Sequence, residues 1–447
     1  MIPFLRYIDP ISNFILAPKN DYITYLNKVP LELEPILNKN VIYENDEAYN
    51  LDLAYQLFLS GYINNNKKEK LIYDSNTISI KDNYKLLARF VSKSWLIVTF
   101  FFRVIELNNP FKEFVNLFGS LRIKKISMFK LQEQIKNERR LSWNAFRSRL
   151  LNFKPLISVV IPTLNRYNHL KNVLKDLEQQ DYKNFEVIII DQSDNYLKSF
   201  FNGWKFKLRH IRQNEKALWR ARNTGITISK GEYVLLIDDD IRFNYSFISN
   251  HLKAIDFFSC DISNGIFYPK DSKIPKNKRL FGFSEQFPTG NTLLKKSVFK
   301  KVGLFDRQFE KQRMGDGEFG TRSYLNGFFS VENPLSSCID VKASDGGLRE
   351  MGSWSSWKTS KLFSVRPIPS VLYYSRKYWG NYLSIFKIII TLPRSIGPYK
   401  LRNKYYGIFI SYILFLSLSP VFLFLLFISW ARSTKMLLKG GLIDKLD

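Results

Sequence analysis

The stretch Tyr233–Ile241, YVLLIDDDI, places three consecutive aspartates directly after a short apolar run. Such a run is typical of a buried strand, which would deliver Asp238–Asp240 to one edge of a sheet. Three adjacent like charges repel each other unless a cation or an opposite charge lies beside them. Carboxylates suit Mg²⁺ or Mn²⁺, which proteins commonly share with substrate phosphates. The stretch therefore predicts a site for a divalent metal and a phosphate-bearing ligand.

The same aspartates also have a purely structural interpretation. They could form a solvated turn in which one carboxylate caps the next helix. On an extended chain, however, the first and third residues point to the same side, so Asp238 and Asp240 could share one ligand. Both interpretations remain open at this point.

Strand and helix patterns alternate on both sides of the aspartates. Apolar, β-branched runs at Ile157–Ile161 and Phe185–Ile190 predict buried strands, and Lys207–Arg212 predicts a weaker third one. Helical spacing follows the first strand and returns at Ala217–Ser229. The alternation predicts an α/β fold with a mainly parallel sheet and right-handed crossovers.

Polar residues follow three of these predicted strands: Pro162–Arg166 (PTLNR), Asp191–Asp194 and Asp238–Asp240. In parallel sheets, ligands bind beyond the carboxyl ends of the strands. We therefore expect the three segments to line one crevice. Asp191 could instead only cap a turn, and Arg222 could serve to neutralise the aspartates.

A further acidic candidate lies in Met314–Arg322, MGDGEFGTR. Glycines flank Asp316 and would let a backbone or ligand approach closely, which makes Asp316 a candidate general base. The alternative is that Asp316 caps a short helix, predicted over Glu318–Leu325.

The charge is strongly uneven along the 447 residues. There are 67 basic and 40 acidic side chains, a formal net charge of +27, and no acid occurs between Glu350 and Asp444. Residues 351–404 are basic and aromatic, which predicts a membrane-proximal segment on anionic lipid. Because the acid-free end adjoins an apolar run, we expect lipid rather than nucleic acid as a partner. Two cysteines are too few for a disulfide framework.

Residues 405–431 contain no charge and are long enough to cross a bilayer. Pro420 lies within this run and would kink a helix. The segment is predicted to be a transmembrane span or a re-entrant hairpin broken at Pro420. Residues 432–447 would form a short basic tail.

Residues 1–152 are predicted to be a mostly helical accessory region, with helical spacing at Ile23–Leu37 and Tyr49–Ile63 and a basic amphipathic stretch at Met128–Leu151. The run Trp95–Phe102, WLIVTFFF, is too short to cross a bilayer and indicates a buried or interfacial helix. A membrane-surface or partner-binding role is the alternative for this region.

Taken together, the motifs resemble glycosyltransferase family 2, whose members have the GT-A fold. The resemblance covers about residues 155–350, within a predicted domain of 153–350. It is carried by ISVVIPTLNR (157–166), FEVIIIDQSD (185–194), ALWRARNTGITISKGEYVLLIDDD (217–240), TGNTLLKKSVFKKVGLFD (289–306) and GDGEFGTR (315–322). It implies an inverting transferase that uses a nucleotide sugar and Mn²⁺ or Mg²⁺.

The resemblance also assigns expected roles to individual residues. The nucleotide would be bound by Pro162, Thr163, Arg166, Asp191, Arg222 and Asn223, with Asp238 on the ribose side. Asp240 would bind the metal that bridges the two phosphates. Gly290 and Asn291 would form the loop under the sugar, and Asp316 would deprotonate the acceptor hydroxyl.

The sequence departs from the family pattern at several positions. Gln192 follows Asp191 where a glycine is common, and Gly315 replaces the glutamate that commonly precedes the base, a loss for which Glu318 would compensate. The Gln-x-x-Arg-Trp element of processive synthases is absent from the sequence, so transfer of one sugar is favoured over polymer synthesis.

The expected function is thus transfer of one sugar to a glycan or lipid-linked acceptor during cell-surface polysaccharide synthesis. The catalytic domain would lie on the cytoplasmic side of the inner (plasma) membrane. One alternative is a sugar-phosphate nucleotidylyltransferase, although PTLNR lacks the Gly-x-Gly-x-Arg loop of that class. The other is a membrane-bound scaffold without enzymatic activity.

Overall fold

The computed structural model describes residues 28–63, 78–274, 278–284, 287–343, 363–397 and 405–446. The chain divides into two compact units. The first comprises residues 1–147 with 280–285, and the second comprises residues 148–279 with 286–447.

The first unit is built from helices. They are α1 (Asp46–Leu59), α2 (Ile80–Phe90), α3 (Lys93–Ile105), α4 (Pro110–Ser120) and α5 (Phe129–Ala145), with the two-residue strand β7 at Gly282–Phe283. Leu53 and Leu57 of α1 pack against Leu131 and Ile135 of α5. This mostly helical composition agrees with the expectation from the sequence.

One helix prediction in the first unit needs correction. In the described part of Ile23–Leu37, only Glu34–Ile36 form a helical turn, because Pro30 and Pro35 interrupt the backbone hydrogen bonding. The run Trp95–Phe102, for which a helix was predicted, lies within α3. Ser92 caps the start of this helix by accepting a hydrogen bond from the Trp95 N–H at 3.3 Å.

The second unit contains one sheet. Its strands are β1 (Ile157–Thr163), β2 (Phe185–Asp191), β3 (Lys207–Arg212), β4 (Tyr233–Ile237), β5 (Ile241–Phe243), β6 (Ile262–Pro269), β8 (Asn291–Lys295) and β9 (Ser330–Asp340), in the spatial order β3-β2-β1-β4-β8-β6-β9-β5. β1, β2 and β4 are buried along their whole length. All three were predicted from their apolar runs.

The sheet is mixed rather than mainly parallel. Strands β3, β2, β1 and β4 run parallel, and so do β6 and β9. β8 is antiparallel to both β4 and β6, and β5 is antiparallel to β9. The chain enters β8 from a turn at the edge where β4 ends, so β8 has to run in the opposite direction.

Helices flank the sheet of the second unit. They are α6 (Arg149–Phe153), α7 (Tyr167–Glu178), α8 (Leu218–Ile228), α9 (Phe247–Phe257), α10 (Lys296–Val302) and α11 (Gly315–Leu325). α8 packs closely on β1, where a Cβ at Gly225 would lie 2.4 Å from Val160. This close contact holds the Ala221–Asn223 segment of α8 near the end of the sheet.

Three helices follow the sheet: α12 (Pro369–Arg394), α13 (Tyr405–Ser417) and α14 (Ser419–Lys439). α12 changes direction at Gly380, whose φ of 76° favours glycine. The predicted apolar segment 405–431 is divided at Leu418, two residues before Pro420. Within the described residues, Ser419–Lys439 is the one helix long and apolar enough to cross a membrane. Much of the predicted membrane-proximal segment, 351–362 and 398–404, lies outside the described residues.

Residues 440–446 return to the body of the second unit. The Leu442 N–H donates to the Asp306 carboxylate at 3.0 Å, and its carbonyl accepts from the Arg307 N–H at 3.0 Å. The Leu304 N–H donates to the Asp444 carbonyl at 2.8 Å. Residues 440–446 are therefore hydrogen-bonded to the segment that leads to α11 and hold it in place.

Candidate active site

The predicted crevice forms where β1, β2 and β4 end. Thr163 and Asp191 are register partners at the last positions of β1 and β2, and Asp238 follows the last residue of β4. The Asp238 N–H donates to the Gly290 carbonyl at 3.2 Å, so the turn before β8 lies at the same edge. Pro162 is buried within β1 beside Ile190 of β2.

Each of the three consecutive aspartates has a different partner. Asp238 forms an ion pair with Arg222, with 2.6 Å between Oδ1 and Nη2. Asp239 accepts from the Thr163 hydroxyl at 2.7 Å and from Arg166 Nη1 at 3.2 Å. Asp240 pairs with the same Arg166 nitrogen at 3.0 Å. Two arginines thus balance part of the charge of three carboxylates.

Burial differs along this aspartate cluster and affects its protonation. Asp239 is 5% exposed. Burial raises the pKa of Asp239 to about 7, although Arg166 opposes the shift and the charge of Asp240 adds to it. Burial and the neighbouring Asp238 also raise the pKa of Asp240. The partly exposed side chains of Asp238 and Asp240 are therefore the ones available to a ligand.

Asp191 is fully buried at the end of β2 and is held by two donors. The Tyr167 hydroxyl donates to one carboxylate oxygen, and the Ser193 N–H donates to the other at 2.8 Å. The sequence reasoning missed Tyr167. Its position immediately after PTLNR, at the start of a predicted helix, was the available signal.

The two asparagines predicted to contact substrate have structural partners. Asn223 donates to the Phe305 carbonyl at 2.9 Å and accepts from the Phe305 N–H at 3.0 Å. Asn291 donates to the Ser336 carbonyl at 3.0 Å and accepts from His251 Nε2 at 2.8 Å. Their amides therefore join distant segments around the site, and a direct contact with substrate stays a prediction for both.

Position 290 requires a glycine because the Asp238 side chain lies directly beside it. A Cβ at this position would lie 2.1 Å from Asp238 Oδ2, closer than any real contact. Only glycine therefore fits beside the Asp238 carboxylate. The structure thus brings Gly290 into the site. The side chain of the adjacent Asn291 points away from it, toward its hydrogen-bond partners His251 and Ser336.

Asp316 lies in the first turn of α11, which begins three residues earlier than predicted. Met314 precedes this helix at its N-terminal boundary, and the Asp316 carboxylate accepts from the adjacent Gly317 N–H at 2.8 Å. The side chain is half-buried.

Trp219 connects the start of α11 with the aspartates. A Cβ at Gly315 would lie 2.4 Å from Trp219 Cζ2. The guanidinium of Arg222 lies 5.3 Å from the centre of the Trp219 ring, and Arg222 pairs with Asp238. The indole thus occupies the space that a side chain at position 315 would need, which explains the glycine there.

Glu318 does not replace the missing glutamate beside Asp316. It is fully buried and is bonded by Arg322 at 2.9 Å, Lys377 at 2.9 Å and the Tyr378 hydroxyl at 2.6 Å. Burial alone would raise the pKa of Glu318, but the charges of Arg322 and Lys377 outweigh it and lower the pKa. Glu318 therefore joins α11 to α12.

The donor chemistry fits a divalent cation that is shared with a ligand. Within the described residues, no group of three or more His, Cys, Asp or Glu side chains converges on one point. The partly exposed carboxylates of Asp238 and Asp240 nevertheless offer hard oxygen ligands. Mg²⁺ typically takes one or two protein carboxylates and completes its coordination with phosphates and water.

Residues 158–313 match the model of the family described as glycosyl transferase family 2. This part of the chain belongs to that family. With the mixed α/β sheet, the match supports the GT-A-like fold expected from the sequence.

Two relatives and one solved structure illustrate the similarity. Glycosyltransferase GlyA of Streptococcus pneumoniae serotype 4 is 28% identical over 163 residues, which cover 35% of this chain and 22% of GlyA. The GalNAc(5)-diNAcBac-PP-undecaprenol beta-1,3-glucosyltransferase of Campylobacter jejuni is 26% identical over 193 residues, which cover 36% of this chain and 57% of the relative. The mannosyltransferase PcManGT of Pyrobaculum calidifontis, solved with GDP-Man and Mn²⁺, is 15% identical with a TM-score of 0.38, and the match covers 69% of this chain and 84% of that one.

Proposed function

We propose that the protein is an inverting glycosyltransferase that moves one sugar from a nucleotide-sugar donor to an acceptor hydroxyl. The observation that carries the proposal is the convergence of Thr163, Asp191 and Asp238–Asp240 at one sheet edge, with Arg166 and Arg222 paired to the aspartates. This edge offers both carboxylates and guanidiniums. A nucleoside diphosphate needs both, since its ribose hydroxyls donate hydrogen bonds and its phosphates carry negative charge.

The donor would lie with its nucleoside over the ends of β1 and β2. Asp191, oriented by Tyr167 and Ser193, would accept hydrogen bonds from the base or ribose. Asp238 would lie on the ribose side. Arg166 and Arg222 would hold the aspartates in place and lower the cost of bringing a diphosphate close to them.

Asp240, with Asp238 beside it, would hold the Mn²⁺ or Mg²⁺ ion. When bound, the ion would neutralise charge that grows on the leaving diphosphate. Arg166 already places a positive charge 3.0 Å from the Asp240 carboxylate, so this carboxylate is oriented before a ligand arrives.

Asp316 would act on the acceptor side. As the acceptor oxygen bonds to the anomeric carbon, Asp316 would take the hydroxyl proton, and the bond from that carbon to the diphosphate would break. Attack from the face opposite the leaving group inverts the anomeric configuration.

The acceptor we propose is a glycan or a lipid-linked glycan in cell-surface polysaccharide synthesis, at the cytoplasmic face of the inner membrane. Support comes from the apolar helix Ser419–Lys439 and from the Campylobacter jejuni relative, whose name states an undecaprenol-linked acceptor. Membrane lipid would thus be a partner of the C-terminal helices. The absence of acids between Glu350 and Asp444 suits an anionic surface.

The variant Asp316→Asn tests this proposal. The change removes the basic group but keeps its shape, so nucleotide binding should persist while transfer falls roughly 100-fold or more. Binding is measured as the thermal shift of the full-length protein with nucleoside diphosphates and nucleotide sugars in Mn²⁺. Transfer is measured with the donor that gives the largest shift and membrane-extracted acceptors.

Asp271→Asn is the matched control, because Asp271 is an exposed carboxylate in the same unit. It should change neither binding nor transfer. Undiminished transfer by Asp316→Asn would remove Asp316 from the base role, and the absence of a shift with any nucleotide would overturn the transferase proposal.

A further inference from the structure

The helix pair α3–α4 of the first unit buries a charged pair and exposes large apolar side chains. Arg103 of α3 and Glu113 of α4 are buried and lie 2.9 Å apart from Nη2 to Oε1. Tyr84 of α2 donates to the other Glu113 oxygen at 2.9 Å. A charged pair therefore occupies the interior of this helix pair, where apolar side chains normally pack.

The outward faces of the same helices carry large apolar side chains. The exposed residues include Ile97, Phe101, Ile105, Phe111, Phe114 and Phe118, and Phe111 is 77% exposed. A ring contact connects the two helices, since the ring centre of Phe100 on α3 lies 6.3 Å from that of Phe114 on α4. A continuous exposed aromatic face of this kind marks a surface that binds a partner or a membrane.

The exposed charges of the segment that contains both helices are of one sign. From Lys93 to Lys125, a fully described range, the exposed charged residues are Lys93, Lys112, Arg122, Lys124 and Lys125. The two acids in the range, Glu106 and Glu113, both pair with Arg103, and neither is exposed. The surface therefore complements an anionic partner.

The lengths of the helices decide how they could meet a bilayer. α3 has 13 residues and α4 has 11. Helices of these lengths measure about 20 and 17 Å, shorter than the hydrocarbon core of about 30 Å. They can lie along the membrane surface but cannot span it.

We propose that the exposed face of α3–α4 is a membrane-docking surface for an anionic lipid leaflet. Its phenylalanines would enter the boundary between headgroups and acyl chains, while the five exposed cations would meet the lipid headgroups. The inward Arg103–Glu113 pair would keep the two helices aligned so that both present their aromatic side chains together. This surface belongs to the first unit and is separate from the apolar helix α14.

The proposal is tested with a reporter at Phe111 in the full-length protein. Both native cysteines are buried, so Phe111→Cys provides a thiol that reacts with an environment-sensitive fluorophore. The labelled protein is reconstituted into vesicles of phosphatidylcholine with phosphatidylglycerol. Its emission should shift to the blue, and spin-labelled lipid should quench it. Because the readout is local, binding through the C-terminal helices cannot imitate it.

Asn137→Cys is the matched control, since Asn137 is exposed on α5 of the same unit. Its label should stay water-like on the same vesicles. In a second variant, Lys124→Gln with Lys125→Gln, lipid contact at the Phe111→Cys label should weaken on the order of fivefold per removed cation. A label at position 111 that stays water-like and unquenched would overturn the proposal.

Discussion

At the residue scale, the three aspartates after β4 differ in how deeply they are buried and in which side chains they contact. Asp239 is enclosed by Thr163 and Arg166, so its carboxylate ties β4 to the end of β1. Asp238 and Asp240 keep part of their surface exposed, and each pairs with an arginine. The structural interpretation of this stretch therefore applies to Asp239, and binding of a ligand or metal stays a prediction for Asp238 and Asp240.

The partly exposed carboxylate of Asp240 predicts a metal-specific effect of Asp240→Asn. The change removes the charge that would bind the cation, while Arg166 keeps its bond to Asp239. Thermal stabilisation by a nucleoside diphosphate should lose its dependence on Mn²⁺, and transfer should fall on the order of 100-fold. Titration of Mn²⁺ at fixed nucleotide measures the first effect.

Asp194→Asn is the control for this change. Asp194 also follows a strand, but it is exposed and pairs with Lys216 at 2.6 Å. Its variant should keep the Mn²⁺ dependence. If Asp240→Asn responded to Mn²⁺ as the unchanged protein does, Asp240 would not be the metal ligand.

At the element scale, the first turn of α11 is held against α8 by one indole ring. Trp219 donates its ring N–H to the Phe309 carbonyl at 3.0 Å and is 5% exposed, so it has little freedom to move. Gly315 lies against this ring, directly before Asp316. The position of the proposed base therefore depends on a contact between two helices.

Gly315→Ala should disturb this contact although alanine favours helices. Its Cβ would lie 2.4 Å from the Trp219 ring, so the helix start or the ring must shift. We expect a loss of about 1–3 kcal/mol in the free energy of unfolding and a fall in transfer. Chemical denaturation and the transfer assay measure the two effects.

Gly317→Ala provides the matched control two residues away. There the added Cβ would meet only the end of the flexible Met314 side chain, at 2.8 Å. Its stability should stay the same or rise by up to about 1 kcal/mol from helix propensity. Equal stability and activity of the two variants would show that Trp219 does not fix the start of α11.

The strands around the site were predictable because each is identified by a pattern within its own short stretch of sequence. The apolar runs of β1, β2 and β4 identify buried strands, and parallel strands bring Asp191 and Asp238–Asp240 to one edge. The partners of Asn223, Asn291 and Glu318 could not be predicted in this way. Asn223 bonds to a residue 82 positions away, and Glu318 bonds to one 60 positions away. Only the folded chain determines such contacts.

At the scale of the whole second unit, the helical segment α12–α14 is attached to the catalytic body at both ends. The Ser370 hydroxyl donates to the Arg313 carbonyl at 2.8 Å at the start of α12. After α14, Leu442 bonds to Asp306 at 3.0 Å. A chain that leaves a body and returns to it cannot cross a bilayer an odd number of times. For a membrane-bound protein we therefore predict the re-entrant arrangement of 405–431 rather than the single span.

Labelling of introduced cysteines tests this topology. Lys171→Cys lies on the exposed side of α7, and Lys445→Cys lies on the exposed tail. In sealed membrane vesicles, a maleimide that cannot cross the bilayer should label both positions from the same side. Labelling of the two positions from opposite sides would establish the single span instead.

Asp306 joins both ends of the helical segment α12–α14 to the rest of the second unit. Its buried carboxylate accepts from the Tyr373 hydroxyl of α12 at 3.2 Å and from the N–H of Leu442 at 3.0 Å, so both attachments meet at one residue. Asp306 also begins the segment that leads to Asp316. On the proposed membrane placement, the apolar helices would do more than attach the protein to the bilayer. They would set the height above the bilayer at which an acceptor hydroxyl can reach Asp316, and an acceptor carried at another height would not be used.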